Sequence, residues 1–533
     1  MITTYIPYHD IRFFSKLICD YIGEREEVRP FYHHFPKIEE FKLQIEEKKK
    51  SFSKESREIL VKSLQNQYSE LKTSPKVLKN IVQLGDSNTF TVTTGHQLSL
   101  FTGHLYFIFK IISVINTTKQ LSEAYPDCHF VPVYWMATED HDFEEINHFH
   151  LSNRTLCWNS EQTGATGAFD TKELTAVFNT FSKAIGTSKD AETLKRLFEN
   201  SYLKHSTLAE ATRYLVNELF EDYGVVIIDG NDASLKQQLI PYIKNDLLQQ
   251  TAHNEVNRTI AALQAVDKLY PVQVNPREIN VFYLVEELRE RIVRTEEGFE
   301  VHNTAIKFTQ EALLKELQAH PERFSPNVIL RPLYQEVILP NLAYIGGGGE
   351  IAYWLELKGF FEKENVPFPM LMLRNSAMLV SERQLEKIKK LSLSLTDVFL
   401  KPEDLKNLKV KQLSEFPIDF SPQKETLKAQ FAHLYTLAER TDITFKNAVK
   451  AQEVRQLKGL EKLEARLLKA QKRKYDVQLE QIVVLQSELF PNNTLQERFS
   501  NFTDFYLVKG EQLINELVND FNPFDFRFVV IQY

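Results

Sequence analysis

The sequence predicts an α/β protein: a Rossmann-like parallel sheet core with connecting-peptide insertions, plus a C-terminal α-helical coiled-coil arm. Three observations carry that expectation. Residues 88–94 (SNTFTVT) alternate β-branched side chains and stop at Gly95, and residues 129–136 (HFVPVYWM) form a nearly continuous apolar run, as strands covered on both faces do. Between them, Leu105, Ile108, Phe109, Ile112 and Ile115 mark one buried face of a helix over residues 103–120. Strand, helix and strand make a βαβ unit with a right-handed crossover. After Ser376 the composition turns to Lys, Glu, Leu and Gln, and Leu460, Leu463, Leu467 and Ala470 keep the 3-then-4 spacing of a coiled-coil seam.

Taken in order, residues 1–85 read as mainly helical and supportive. Residues 223–230 (YGVVIIDG) read as another buried strand, ending in Asp229, with a helix at 235–248. Insertions are expected at about 150–222 and 250–325, the second holding a small sheet and a helix near 310–320. Sheet strands are expected again at 328–334 (VILRPLY) and 369–373 (PMLML). The domain plan is a core over 1–375, a helical region with the arm over 376–490, and a segment over 491–533 that returns to the core.

Composition narrows the function. A chain of 533 residues, 43% hydrophobic and 26% charged, reads as a soluble globular protein of two or three domains. A net charge of -8 argues against a general nucleic-acid binder. Three cysteines without a CxxC pair offer no disulfide framework. No stretch approaches the length of a membrane span, and the first residues lack a signal-peptide pattern, so a cytoplasmic protein with no membrane partner is expected.

Ionisable residues gather after the strands. Thr94, Gly95, His96 and Gln97, then Thr102, Gly103 and His104, lie between a strand and a helix, where backbone N–H groups favour a phosphate or carboxylate; the alternative is a turn with a helix cap. In the run Thr138–His148, Asp140, His141 and Asp142 suit acid/base work or substrate binding. If that run is helical, His141, Glu145 and His148 share a face that suits a divalent metal, which motivates a competing reading as a metal-dependent hydrolase. Solvated charge at a helix start is the third alternative.

Gly347 and Gly348, in a run of glycines, can bring backbone amides against a ligand or form a hinge, and Glu350 opens the next helix. Arg331 and Arg374 follow predicted strands, where each can clamp a carboxylate or form a structural ion pair. The arm reads as an interaction or dimerisation element, and a non-catalytic scaffold built around it is a further alternative.

The stretches TGHQLSLFTGHLYFIFKIISVI, VPVYWMATEDHDFEEINH, NVILRPLYQEVILPNLAYIGGGGEIAYWLEL and LQERFSNF together resemble the BshC family, the cysteine ligase of bacillithiol biosynthesis. The resemblance runs over essentially the whole chain in the same order. It implies a Rossmann-like core with connecting-peptide insertions and an antiparallel coiled-coil arm used for homodimerisation. It also implies amide-bond formation between L-cysteine and glucosaminyl-malate, the last step of the pathway, with ATP to activate the cysteine carboxylate. The expected catalytic residues are Asp140, His141 and Asp142. A second nucleotide pocket at Arg498 and Asn501 and the absence of a tightly bound metal are expected too. The family often has Gln where His96 stands and Pro where His104 stands, which moves weight to Gln97 and the backbone.

Overall fold

The computed structural model describes residues 3–152 and 154–533. Its centre is a five-stranded sheet built from β1 (Thr89–His96), β2 (His129–Met136), β3 (Val226–Asp229), β4 (Asn341–Gly346) and β5 (Met370–Leu373). All four neighbouring pairs are parallel, and the order across the sheet is β5-β4-β1-β2-β3. The chain therefore winds outward from β1 through β2 to β3, then crosses to the other side of β1 for β4 and β5. That reversal between β1 and β4 is a topological switch point, where open α/β sheets bind ligands beyond the carboxyl ends of their strands.

The local reasons are visible in the residues. Strand β2 is buried from Phe130 to Met136, consistent with its continuous apolar run. Helix α1 (Tyr106–Ala124) crosses from β1 to β2 and is buried along most of its length, so Lys110, in its apolar first half, is forced into the interior, while Lys119 near its end is exposed. The loop before it is held in a costly conformation: Phe101, Thr102 and Gly103 have φ of 46°, 68° and 61°. Asn501 fixes this loop by donating from Nδ2 to the carbonyls of Phe101 (2.8 Å) and Gly103 (2.6 Å). The Phe101 ring packs among Phe149, Phe181, Phe198 and Phe502.

One expected strand is a helix. Residues 328–334 do not join the sheet; α2 (Leu330–Ile338) occupies this stretch instead. Leu330, Leu333, Tyr334 and Ile338 repeat at helical spacing and are buried, and Asn327 Oδ1 accepts from the backbone N–H of Ile329 and Leu330 to start the turn. The strand lies just downstream, at β4, and runs into α3 (Gly348–Glu356). The helix expected at 235–248 is split into Ala233–Gln237 and Ile240–Gln249.

The second insertion forms a five-stranded antiparallel sheet, whose strands Val281–Val285, Leu288–Thr295 and Phe324–Pro326 face the carboxyl edge of the central sheet. A third sheet joins Thr3–Pro7, Arg527–Gln532 and Ala377–Val380, so both ends of the chain meet the segment that follows β5. The arm is α4 (Ser421–Ala438) and α5 (Ile443–Lys474). Lys424 pairs with Glu464 and Tyr435 bonds Glu453, so as one index rises the other falls: the two helices are antiparallel. Phe431, Ala438 and Val449 are buried between the two helices, but Leu463 of the expected seam is 53% exposed.

Candidate active site

A cavity of about 760 Å³ opens at the switch point. Its floor is the end of β1 and the residue after it (Gly95, His96, Gln97), the end of β2 and the loop that follows (Met136 to Asp142), and Tyr344 and Glu350 from β4 and α3. Its roof comes from the insertion sheet and the loop before it, which supply Arg277, Phe282, Arg289 and Arg291, with Arg331 of α2 at the side. A volume of this size accommodates a small-molecule substrate pair.

Arg331 is the most informative residue. Its Nη1 donates to Gln335 Oε1 (3.0 Å), and its guanidinium lies 5.6 Å from the ring centroids of both Trp135 and Tyr344. Its Nη2 is buried with no partner at hydrogen-bonding geometry, and the nearest candidate is the Tyr353 hydroxyl, close enough to interact with the guanidinium. A buried, unpaired cationic donor at a cavity wall is an anion site in waiting.

Arg289 is more fully engaged: Nε donates to Ser325 Oγ (3.0 Å), Nη2 to the Pro326 carbonyl (3.2 Å) and Nη1 to His141 Nδ1 (2.5 Å). Guanidinium can only donate, so His141 Nδ1 carries the lone pair and its proton sits on Nε2. This imidazole presents a donor to the cavity, not a base.

The acidic side is graded in availability. Glu139 Oε1 accepts from the buried Lys236 (2.5 Å), so its charge is spent. Asp140 accepts from Gln97 Nε2 (2.7 Å) through Oδ2, and through Oδ1 from the backbone of His141 (2.8 Å). Asp142 is exposed, and its carboxylate has no hydrogen-bond partner among the described residues. Deeper in, Lys110 donates to Gly95 O (2.7 Å) and Glu350 Oε1 (2.5 Å), and Tyr344 donates to Glu350 Oε2 (3.0 Å). Burial alone would raise the Glu350 pKa, but attraction to Lys110 and these hydrogen bonds outweigh it and hold the group below its ordinary value as a carboxylate.

His96 also lines the cavity but does not titrate near neutrality. Burial, with the charge of Lys110 adding, pushes it down to about 3. Its Nδ1 donates to the Gln97 carbonyl at 2.9 Å.

Several expected site residues lie elsewhere, each for a packing reason. Thr94 donates its hydroxyl to the Ile345 carbonyl (2.7 Å), a tie between neighbouring strands. Thr102 and Gly103 belong to the strained loop behind the cavity, and Asn501, fully buried, clamps that loop. Arg498 is exposed and its guanidinium stands 5.9 Å from the Tyr106 ring, outside the cavity lining. Gly347 and Gly348 are absent from that lining as well; Gly348 faces Ile18 and Phe14 of the N-terminal segment, where a Cβ would rest in ordinary contact.

Arg374 does follow a strand, but Nη2 pairs with Glu497 Oε1 at 2.7 Å and both side chains are at most 2% exposed. It joins the C-terminal segment to the core. Arg331 lies on a helix, not at a strand end, yet reaches the cavity.

The expected metal face does not form. Only Phe143–Ile146 is helical, and His148 begins a strand. His141 turns to Arg289, Glu145 accepts from Gln97 (2.8 Å), and His148 stacks near His104 and His150. Among the described residues the three do not assemble into a ligand set.

Sequence reasoning missed Lys110, Arg277, Arg289, Arg291, Tyr344 and Tyr353. Two signals were present. Lys110 is a charge set among apolar residues in the first half of its helix, and Arg289 and Arg291 stand two apart on one strand, hence on one face.

The chain matches two family models: "Bacillithiol biosynthesis BshC, N-terminal Rossmann-like domain" over residues 1–375, and "Bacillithiol biosynthesis BshC, C-terminal coiled-coil domain" over residues 377–533. Curated relatives carry the name "Putative cysteine ligase BshC". The one from Flavobacterium johnsoniae is 54% identical, with all of both chains aligned. The one from Christiangramia forsetii is 52% identical over 100% of this chain and 99% of the relative. A Bacillus cytotoxicus relative is 30% identical over 84% of this chain and 85% of its own. With family models spanning both the parallel-sheet core and the arm, the chain belongs to the BshC family of bacillithiol biosynthesis.

Proposed function

We propose that this protein is the ligase that joins L-cysteine to glucosaminyl-malate, with ATP activating the cysteine carboxylate. The observation that carries the reading is the mixed-charge lining of the cavity. Arg277, Arg289, Arg291 and Arg331 line it together with Asp140, Asp142 and Glu350. A malate glycoside of glucosamine carries two carboxylates and an ammonium group, the charges such a lining recognises. The unpaired Arg331 Nη2 suits a malate carboxylate.

A carboxylate does not condense with an amine at neutral pH, so ATP supplies the leaving group. The amine nitrogen then forms the new bond to the cysteine carbonyl carbon, the phosphate-bearing group departs, and the amine releases a proton. Asp142, unpaired and exposed at the rim, is positioned to take that proton. Asp140 and Gln97 hold the β2 loop in place, and His141 Nε2–H is free to donate to substrate oxygen.

The arm supports a second part of the reading: a homodimer. Leu434, Leu437, Phe445, Val454 and Leu463 are exposed on α4 and α5, more apolar surface than a solvated helix pair needs.

The test is direct. Purified protein supplied with cysteine, glucosaminyl-malate and ATP should form the amide, detected by mass spectrometry, and Asp142→Asn should slow it at least about tenfold. The reading fails if no amide forms and neither glucosaminyl-malate nor ATP raises the melting temperature, since a ligand of the native state must stabilise it.

A further inference from the structure

A cluster far from the cavity has donor chemistry that the ligase reading does not use. His33 and His34 lie in a bend before the helix Phe41–Ser51, which carries Glu47. This helix sits at the amino ends of β4 and β5: Gln44 Nε2 donates to the Phe368 carbonyl (3.0 Å) just before β5, and Lys48 pairs with Glu336 (3.2 Å) ahead of β4. The cavity opens at the carboxyl ends of the same strands, so the cluster is on the opposite edge of the sheet.

Consecutive residues of an extended chain point to opposite sides. Here the bend turns both imidazoles to one side, with ring centroids 4.1 Å apart. Both aim the same atom at one carboxylate: His33 Nε2 lies 2.7 Å from Glu47 Oε2, and His34 Nε2 lies 3.1 Å from Glu47 Oε1. The three ligand atoms fall within 4.8 Å of one another. Around a tetrahedral zinc ion, with bonds of about 2.0–2.2 Å, neighbouring ligand atoms stand roughly 3.3–3.6 Å apart. Small rotations of the side chains therefore admit an ion.

A ligating Nε2 must be free of its proton, which then resides on Nδ1 and needs an acceptor. Glu40 Oε2 stands 3.7 Å from His34 Nδ1, a small side-chain rotation from accepting that proton. With an ion bound, the order would be carboxylate, imidazole, ion. The His33, His34 and Glu47 side chains are 34%, 12% and 39% exposed, so an ion and a completing water can enter.

We propose that His33, His34 and Glu47 form a zinc site, with Glu40 orienting His34 from behind. Two imidazoles and one carboxylate suit zinc among the abundant divalent ions, and calcium or magnesium would require more oxygen donors. The ion would fasten the segment that precedes Phe41 to the helix that packs against the amino ends of the sheet.

The test uses the full chain, stripped with a chelator and dialysed against zinc alone. Wild type and His148→Asn, the latter a control for the His104/His148/His150 group, are expected to retain one zinc per chain. The double variant His33→Asn/His34→Asn is expected to retain none, and Glu40→Gln to bind about 10–100-fold more weakly. Cobalt substituted for zinc should show the intense visible bands of a four-coordinate site in wild type and lose them in Glu47→Gln. A wild type that binds no zinc, or a folded double variant that binds as much as wild type, overturns the assignment. If the double variant misfolds, unchanged zinc affinity and cobalt spectrum in Glu47→Gln does so instead.

Discussion

Replacing Arg331 with methionine should separate stability from function, because the residue is poorly satisfied in the free protein. The substitution removes the Nη1 bond to Gln335, about 1 kcal/mol, and contacts with two aromatic faces, about 0.5–1 kcal/mol each. It also removes a buried Nη2 that has no partner, a group whose desolvation costs about 1–3 kcal/mol. These contributions nearly cancel, so the unfolding free energy of the ligand-free variant should lie within about 1 kcal/mol of wild type.

Binding is different. A substrate carboxylate would meet that Nη2 in a charge-assisted bond, and its loss leaves the anion unpaired in the cavity, for a cost of about 2–4 kcal/mol. That corresponds to a fall of roughly 30–1000-fold in kcat/KM for glucosaminyl-malate. Urea unfolding and steady-state ligation assays measure the two quantities on the same preparation. A fall in kcat/KM smaller than about threefold would refute the assignment of Arg331 to substrate. So would a loss of stability above about 2 kcal/mol, which would make the residue a structural cation instead.

Other predictions rest on single side chains. His96→Gln should leave kcat/KM within about threefold and the acid limb of the pH profile unmoved, because an imidazole held down at about 3 is already neutral wherever the enzyme is assayed. Arg374→Met should cost about 3–5 kcal/mol in urea unfolding by stranding the buried Glu497, and Arg374→Met/Glu497→Met should recover most of it. Glu356 is raised from 4.5 to about 7 by burial, against the pull of the Gln273 and Val274 backbone N–H groups. Its folded form therefore binds the proton more tightly than its unfolded form. The stability it contributes is complete below pH 4.5 and is lost as pH rises to about 7, a change of about 3 kcal/mol. Glu356→Gln should remove that part of the slope of unfolding free energy against pH between 5 and 7, and an unchanged slope would refute it.

The parts of the fold legible in the sequence were those where local pattern and tertiary role agree. Strand β2 and the first half of the helix before it are apolar because they are buried, and β1 alternates β-branched residues, patterns that declare the unit. The stretch VILRPLY misled because its β-branched start suggests a strand, while the structure follows the helical spacing of Leu330, Leu333, Tyr334 and Ile338 and the start supplied by Asn327.

The site divided along a different line. Residues at the ends of β1 and β2 were legible because strand ends at a switch point are exposed to ligand by topology alone. The arginines of the roof were not, since nothing local states that the sheet after residue 280 folds over the carboxyl edge of another.

Nor does sequence distinguish a cation that waits for substrate from one already paired. Arg331 and Arg374 read alike as cations after apolar runs, yet Arg374 ends on Glu497, more than a hundred residues away, and Arg331 keeps a free donor. The same contrast separates Asp142 from Glu139, whose charge Lys236 takes up. In this cavity the candidate functional groups are the ones the fold leaves unsatisfied, and that property is a sum over long-range contacts which only the assembled chain displays.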